Sequence, residues 1–584
     1  MPQDTPDPLY YLRNFERALQ WLAQRYGDLL GDAERAFVHG FASLPEASRA
    51  LLVRMLMRQG VLFRASRLSY GEIGCAHTAA APLVAAGWLE ADAPVELDEL
   101  FALCTRAELL ACFSSELAGL KTARKDAWLA LLHTLHGTAR RYAGWHPQAT
   151  DEVFKVSVAP LCERLRLMFF GNLQQDWSEF VLADLGVHLY EPVAFAPSSR
   201  AFQQRGDVDV YLALHACATE LEQLAAGAAL EPLLAALDAI DTDATGNAWL
   251  AARRAKLLYR IGYHAERQQQ WDTALTVYQR CAWPGARHRR VRVLERAARD
   301  DAALALALQA AAAPESEEES QRIARMLPRL QRRAGHAPQR AAPAAVLERG
   351  MLTLARPAAP YAVEYVVRDH LDAPDAPVHY VENALINSLF GLLCWEPVFA
   401  ALPGAFFHPF QRGPADLHAP DFHARRAPLF AQCLAQLDSD AYRATMLRHF
   451  DSKAGVQSPF VFWPMLTREL LDVALACIPA AHLKLWFERL LRDVRGNRSG
   501  LPDLIRFWPR ERRYELIEVK GPGDRLQDNQ IRWLAYCAQH RMPVRVLDVR
   551  WSDDGAERDD AAGDASAASS HARDALADAH EAGV

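Results

Sequence analysis

The stretch 497–534, NRSGLPDLIRFWPRERRYELIEVKGPGDRLQDNQIRWL, decides how the chain is read. Asp503 stands just before an apolar segment, Leu504 to Trp508, and a second β-rich segment runs from Tyr514 to Val519 with turn residues between the two. Side chains alternate along a strand, so Glu518 and Lys520 share one face and Val519 takes the other. If the strands pair as a hairpin, Asp503 approaches Glu518, and two carboxylates and an ammonium surround one point. Mg2+ and Mn2+ suit such a pair, being hard ions that take oxygen ligands at ~2.0–2.1 Å and keep several waters. The main-chain carbonyl of Val519 is a further candidate ligand. Lys520 is placed to orient or deprotonate a water, or to offset charge on a transferring phosphate. The competing reading is a plain ion pair, Glu518 to Lys520, on a surface hairpin, since P-D and E-x-K also arise by chance. Both halves lie on strands, however, a Gly-rich turn follows, and a helix bearing Gln530 comes next.

Downstream, DNQIRWLAYCAQH has helical spacing and VRVLDVR reads as a closing strand. Strand, strand, helix, strand is an α/β unit, unlike the Ala/Leu-rich helical sequence before it.

The motifs R-S-G-x-P-D-L (498–504) and E-V-K-G-P-x-D-R-L-x-x-x-Q (518–530) resemble the VRR-NUC branch of the PD-(D/E)xK nucleases, and specifically the Fanconi-associated nuclease family. Glu382-Asn383-Ala384, followed by Leu389-Phe390-Gly391-Leu392-Leu393, is similar to the upstream helix that supplies that family with another acidic metal ligand; FQRGPADL (410–417) also falls where the family has a similar segment. The resemblance implies Glu382, Asp503, Glu518 and the Val519 carbonyl as ligands of one or two Mg2+ or Mn2+ ions, with Lys520, Asp503 and Glu518 catalytic. It also implies a structure-selective endonuclease and 5′ exonuclease acting on 5′ flaps and other branched DNA, including nicked or gapped duplex, in interstrand-crosslink repair. Some members hold a 5′ phosphate in a basic pocket. Arg495 matches one position of it, but Asn529 stands where a lysine is expected, which puts phosphate anchoring in doubt. Read from residues alone, Glu382 is only an acid on an apolar helix.

The rest of the chain reads as a series of modules. Residues 1–70 place apolar residues at three- and four-residue spacing and are expected to be helical, and 71–96 have the cadence of short helices. Within 71–150, two short amphipathic helices flank the basic link Lys121-Thr122-Ala123-Arg124-Lys125, a pattern that resembles a SAP-type DNA-binding module; a helical hairpin with a solvated charge cluster has the same signature. Residues 151–348 stay helical, and Gly262, Trp271, Ala274, Leu275 and Tyr278 fall at tetratricopeptide-like positions. The acidic run Glu315 to Ser320 reads as a solvated loop, and 337–350 as a linker. The nuclease module is expected over 349–550, and 551–584 as a disordered acidic tail. The fold class is therefore multidomain, a mostly α-helical N-terminal two-thirds followed by an α/β nuclease domain.

The formal net charge of −7 conceals this organisation. From residue 551 onward nine acids face two arginines, whereas residues 484–550 carry fifteen Lys/Arg against nine Asp/Glu. A phosphate backbone meets that local excess, not the total. Lys121, Arg124, Lys125, Arg495, Arg498, Arg525 and Gln530 are the candidate DNA contacts; for Arg498, Arg525 and also Arg532 a solvated surface role is the alternative. Phe460 and Trp463 are candidates for stacking on an unpaired base, with core packing as the alternative. His408, His418 and His423 match no metal spacing. Ten scattered cysteines without a C-x-x-C pair exclude a zinc ribbon and a ubiquitin-binding zinc finger. No apolar run reaches the roughly 18 residues of a membrane span and no signal segment is visible, so a cytoplasmic, nucleoid-associated monomer is expected. Rival readings are a Holliday-junction resolvase or other nuclease of the same fold, and a non-catalytic repair scaffold.

Overall fold

The structure, a computed structural model, describes residues 7–147, 151–177, 188–225, 227–242, 246–337, 347–359 and 361–552. The expected acidic tail and most of the expected linker lie outside the described residues. The chain divides into two compact units, Met1–Val208 with Leu402–Gln411, and Asp209–Ala401 with Arg412–Val584.

In the first unit the helix Tyr10–Tyr26 buries Tyr11, Phe15, Ala18 and Leu22, the spacing of one helical face. Its Phe15 meets Phe41 of the helix Asp32–Ser43, ring centroids 5.2 Å apart. Three short strands follow: β1 (Leu62–Arg64), β2 (Leu89–Glu90) and β3 (Val153–Val156), antiparallel in the order β1-β3-β2. They correct the all-helical reading of 1–70, the short-helix cadence of 71–96 and the unbroken helix beyond 150. Strands of two to four residues are too brief to show a period of two.

In the second unit the helices Ala248–Arg267 and Trp271–Gln279 form the expected pair. A Cβ at Gly262 would lie 2.7 Å from the Tyr278 ring, so the missing side chain is what lets the helices close. Ala274 and Tyr278 are buried in that seam, and three more helices, Ala286–Arg296, Asp300–Ala312 and Glu317–Arg333, extend the series. The acidic run is not a solvated loop. Ser316 caps the helix Glu317–Arg333 by accepting from the Glu319 N–H, Glu319 is buried against Arg287, and Glu317 lies 2.5 Å from the buried Arg489. A serine followed by acids is a helix start, because the carboxylates meet the positive end of the helix dipole.

The second unit's sheet runs β4-β8-β7-β6-β5, with β4 at Glu348–Leu354, β5 at Val378–Tyr380, β6 at Leu504–Trp508, β7 at Arg513–Lys520 and β8 at Val544–Trp551. β6 and β7 form the expected antiparallel hairpin, and the helix Asp528–Gln539 carries the chain to β8, parallel to β7. The flanking strands β4 and β5 went unread, because each takes its partners from residues more than a hundred positions away. Leu354, Val367, Val378, Leu504, Ile517, Val519, Leu547 and Val549 form one face's core. Between β5 and β6 lies a helical segment that begins with Leu385–Leu393, every residue of which is buried. Among the described residues no helix is long and apolar enough to cross a membrane.

Candidate active site

The hairpin register pairs Leu504 with Ile517, which puts Asp503 opposite Glu518. The Asp503 carboxylate accepts from the Val519 N–H at 2.8 Å, and its carbonyl accepts from the Val381 N–H at 2.8 Å. Asp503 thus stitches β7 to the chain just before Glu382. Glu518 is fully buried, with Oε1 2.8 Å from the Lys520 ammonium, while no hydrogen-bond donor among the described residues reaches Oε2. A buried carboxylate oxygen left without a partner is costly, and a cation is the usual remedy. Burial pushes the Asp503 carboxyl up from its ordinary range, and Glu382 and Glu364 add to the shift. Burial does the same to Glu518, reinforced by the Asp503 charge. Opposite Lys520 on β8 stands Asp548, engaged by Arg349 through both oxygens, so Lys520 is left to Glu518.

This donor set fits a hard divalent ion: two facing buried carboxylates with raised proton affinity, a third nearby, and an unpartnered oxygen. Among the described residues no three acidic, histidine or cysteine side chains close on one point. Glu382 sits on the exposed rim, held by the Tyr380 hydroxyl and the Asn383 amide. Glu364, in the first turn of the helix Val363–Leu371, was not foreseen; an acid at a helix start carries no sequence signal of its own.

Family models match three stretches: the "FAN1, HTH domain" over residues 9–90, the "Fanconi anemia-associated nuclease SAP domain" over 94–145, and the "VRR-NUC domain" over 438–551. A Fanconi-associated nuclease 1 homolog of Pseudomonas aeruginosa is 53% identical over 94% of this chain and 97% of its own. The chain belongs to the Fanconi-associated nuclease family. An Arabidopsis thaliana homolog is 25% identical over 94% of this chain and 68% of its own, while the Homo sapiens protein aligns at 30% identity over 29% of this chain and 17% of its own. A crystal structure titled as paFAN1 bound to 2-nucleotide 5′-flap DNA with a gap superimposes with a TM-score of 0.86 at 53% identity, covering 94% of this chain and 99% of that one; the 1-nucleotide complex gives 0.85, covering 93% and 99%.

As a VRR-NUC nuclease the chain builds its catalytic loop on a few small contacts. Gly500 has a φ of +84°, and a Cβ there would lie 2.7–2.8 Å from Asn529. Asn529 donates to the Ser499 hydroxyl at 3.1 Å and so fastens the loop leading to Asp503. The buried Asn497 donates to the Arg489 carbonyl at 2.8 Å, and its own carbonyl accepts from the Trp533 indole N–H at 3.1 Å.

Several candidate DNA contacts are turned inward instead. Arg498 donates to the Pro459 carbonyl and lies over the Phe460 ring, and burial lowers its pKa. Gln530 Oε1 accepts from the Gln527 N–H at 2.8 Å, closing a capping box at the helix start. Arg532 donates to Gln321 at 2.8 Å. Lys125 donates to the carbonyls of Phe101 and Cys104 at 2.8 and 2.9 Å, tying down the end of the helix Leu97–Leu103. The link is shaped by Arg106, unforeseen, which donates to the carbonyls of Lys121 and Ala123 and lies over Trp128. Lys121, Arg124, Arg495 and Arg525 stay exposed.

The aromatic candidates resolve toward packing. Phe460 is buried edge-to-face on Phe390, and the Trp463 indole N–H donates to the Val456 carbonyl, while the neighbouring Phe462 is the exposed ring. His408 is buried and stacked on Phe169; burial alone lowers its pKa to about 3. His418, lowered to about 4 by burial and then by Arg498 and Arg495, and His423 both line a groove of about 1040 Å³. Arg322, Arg492, Arg495, Ser499 and Asn529 line it too, together with Glu315, Glu317, Glu318 and Glu319.

Proposed function

We propose that this nuclease cleaves 5′-flap and related branched DNA by divalent-metal-dependent phosphodiester hydrolysis, acting as a structure-selective endonuclease and 5′ exonuclease. The observation that carries this reading is the meeting of Asp503, Glu518 and Lys520 at the end of the hairpin, with a buried Glu518 oxygen that has no donor. The relative's complexes with gapped 5′-flap DNA supply the substrate class.

Asp503, Glu518, the Val519 carbonyl and Glu382 would hold one or two Mg2+ or Mn2+ ions. A bound ion supplies Lewis acidity and charge neutralisation to the hydrolysis. Lys520, anchored by Glu518, orients the attacking water and counters charge building on the phosphate oxygens. Asp503, through its carboxylate to the Val519 N–H and its main-chain carbonyl to the Val381 N–H, ties β7 to the chain leading to Glu382. Lys121 and Arg124 of the SAP domain, with Arg525 beside the catalytic strand, hold duplex phosphates, and Arg495 lines the groove that receives the displaced strand. The proposed modules are residues 1–70, 71–150, 151–348 and 349–550, followed by the acidic tail; β4, pairing with β8 from residue 348, supports the last of these boundaries. The protein is proposed to act as a monomer in crosslink repair at the nucleoid.

The test is a product map on end-labelled 5′-flap, 3′-flap and nicked duplexes with Mn2+, using Asp503→Ala and Lys520→Ala. Cleavage confined to 5′ flaps and nicks, and lost in both variants, supports the reading. Full activity in either variant overturns the site, and equal cutting of 3′ flaps overturns the selectivity. Mass measurement of the free and DNA-bound protein separates a monomer from a symmetric resolvase dimer.

A further inference from the structure

Glu382 occupies an unusual position for a ligand. It is an exposed carboxylate at the end of a strand, where a free glutamate samples several rotamers and loses about 1.5–2 kcal/mol of side-chain entropy when fixed. Here both of its oxygens are already engaged. The Tyr380 hydroxyl donates to Oε2, and the Asn383 amide donates to Oε1 at 3.2 Å. One donor per oxygen leaves each oxygen a lone pair.

The two donors are themselves fixed. Tyr380 is the last residue of β5, paired with Leu504, and its ring packs on Tyr365 with centroids 4.9 Å apart; Tyr365 in turn meets Tyr361 at 5.6 Å. Asn383 has a φ of +52°, a left-handed conformation that asparagine tolerates better than most residues. Its side-chain oxygen accepts from the Leu501 N–H at 3.1 Å, and its carbonyl accepts from Asn387, which also reaches the Arg498 carbonyl. A single amide thus joins Glu382 to the loop that presents Asp503.

We propose that Tyr380 and Asn383 are positioning residues that preset Glu382 for metal binding and set its place relative to Asp503. The inference rests on the reading of Glu382 as a ligand. Partners of this kind usually cost 10–100-fold in metal affinity when removed, because the ligand must then be ordered by the ion itself.

The experiment measures Mn2+ binding to the full chain without DNA, by the electron paramagnetic resonance signal of the free ion, together with the Mn2+ dependence of 5′-flap cleavage. Tyr380→Phe removes only the hydroxyl, Asn383→Gly keeps the backbone conformation without the amide, and Glu382→Gln is the reference. The expected result is Mn2+ binding weaker by about tenfold or more in both positioning variants, an equal rise in the half-saturating Mn2+ for cleavage, and a rate within about threefold of wild type at saturating Mn2+. A purely structural defect would not be rescued by the ion. If Glu382→Gln weakens binding but Tyr380→Phe and Asn383→Gly do not, the positioning role is overturned and the ligand reading stands. Tighter binding in Tyr380→Phe also overturns it, since the hydroxyl would then be competing with the ion. Unchanged binding in Glu382→Gln overturns the ligand reading itself.

Discussion

Two groups of acidic residues in the second unit have opposite surroundings. At the start of the helix Glu317–Arg333, Glu317 meets Arg489 and Glu319 meets Arg287, while Arg325 of the same helix engages both oxygens of Asp528. At the end of the catalytic hairpin, Asp503 and Glu518 face each other with one ammonium between two carboxylates, and one Glu518 oxygen has no donor. The first group is electrically finished by the protein. The second is left with an unpartnered oxygen, which is what the proposed metal would satisfy. Acids that stabilise a fold and acids that serve a reaction are told apart by this balance and not by their number.

The sharpest way to break the comparison is to neutralise one acid of each kind. Glu518→Gln is expected to lower 5′-flap cleavage by about 10²–10³-fold or more, the scale of losing one group that stabilises transition-state charge. Glu319→Gln should leave saturating cleavage nearly unchanged and instead destabilise the fold by about 1–3 kcal/mol, because Arg287 loses its buried partner. Denaturant melts and cleavage rates of the same two variants separate the effects. A stability loss without an activity loss at Glu518 would erase the distinction.

The next effect concerns the loop between the two groups. Gly500→Ala places a Cβ against Asn529 at a left-handed φ, which costs roughly 1–2 kcal/mol for the conformation alone, and it should displace Asp503 with a clear fall in cleavage. Adding Asn529→Ala removes only the Asn529 Cγ contact and leaves the clash with the Asn529 backbone carbon and Cβ, so the double variant should not recover cleavage.

A smaller effect appears in the pH dependence of the metal-free protein. The raised carboxyls of Asp503 and Glu518 contribute stability that is complete below the ordinary carboxylate range and lost as pH rises through their elevated folded values. Asp528, lowered first by its bond to Arg325, has the opposite sign, its contribution present above the ordinary range and lost as pH falls. Melting temperatures of wild type and Glu518→Gln should therefore diverge in favour of the variant as pH rises toward neutrality, and Mn2+ should reverse the order. Parallel curves across that range would contradict the raised pKa.

The hairpin was legible because its signal is local: one acid before an apolar strand, two polar residues on one face of the next. Glu382 was visible only through family resemblance, since nothing in V-E-N-A-L-I-N distinguishes a ligand from a surface acid. Tyr380 and Asn383 needed the tertiary structure, as hydrogen bonds across a strand end leave no periodic trace. The acidic run at 315–320 was misread because net charge was weighed ahead of the cap that Ser316 provides. The intramolecular contacts of Lys125 and Arg498 were not legible, because a long cation has no sequence mark for which way it turns.

The smallest predicted effect follows from that last point. Lys121→Ala with Arg124→Ala should leave the melting temperature unchanged and reduce the salt dependence of DNA binding by roughly one phosphate contact each. Lys125→Ala should do the reverse, lowering stability by about 1 kcal/mol through the two carbonyls it releases. Fluorescence anisotropy across a salt series reads the first, and thermal melts the second.

The most direct test of the central claim, that Asp503, Glu518 and Lys520 form the cleavage centre, is single-turnover cleavage of an end-labelled 5′ flap by Lys520→Ala at saturating Mn2+. The variant keeps both carboxylates, so Mn2+ and flap binding should persist while the cleavage rate falls by about 10²-fold or more. Cleavage at the wild-type rate, with the same products, would contradict the account.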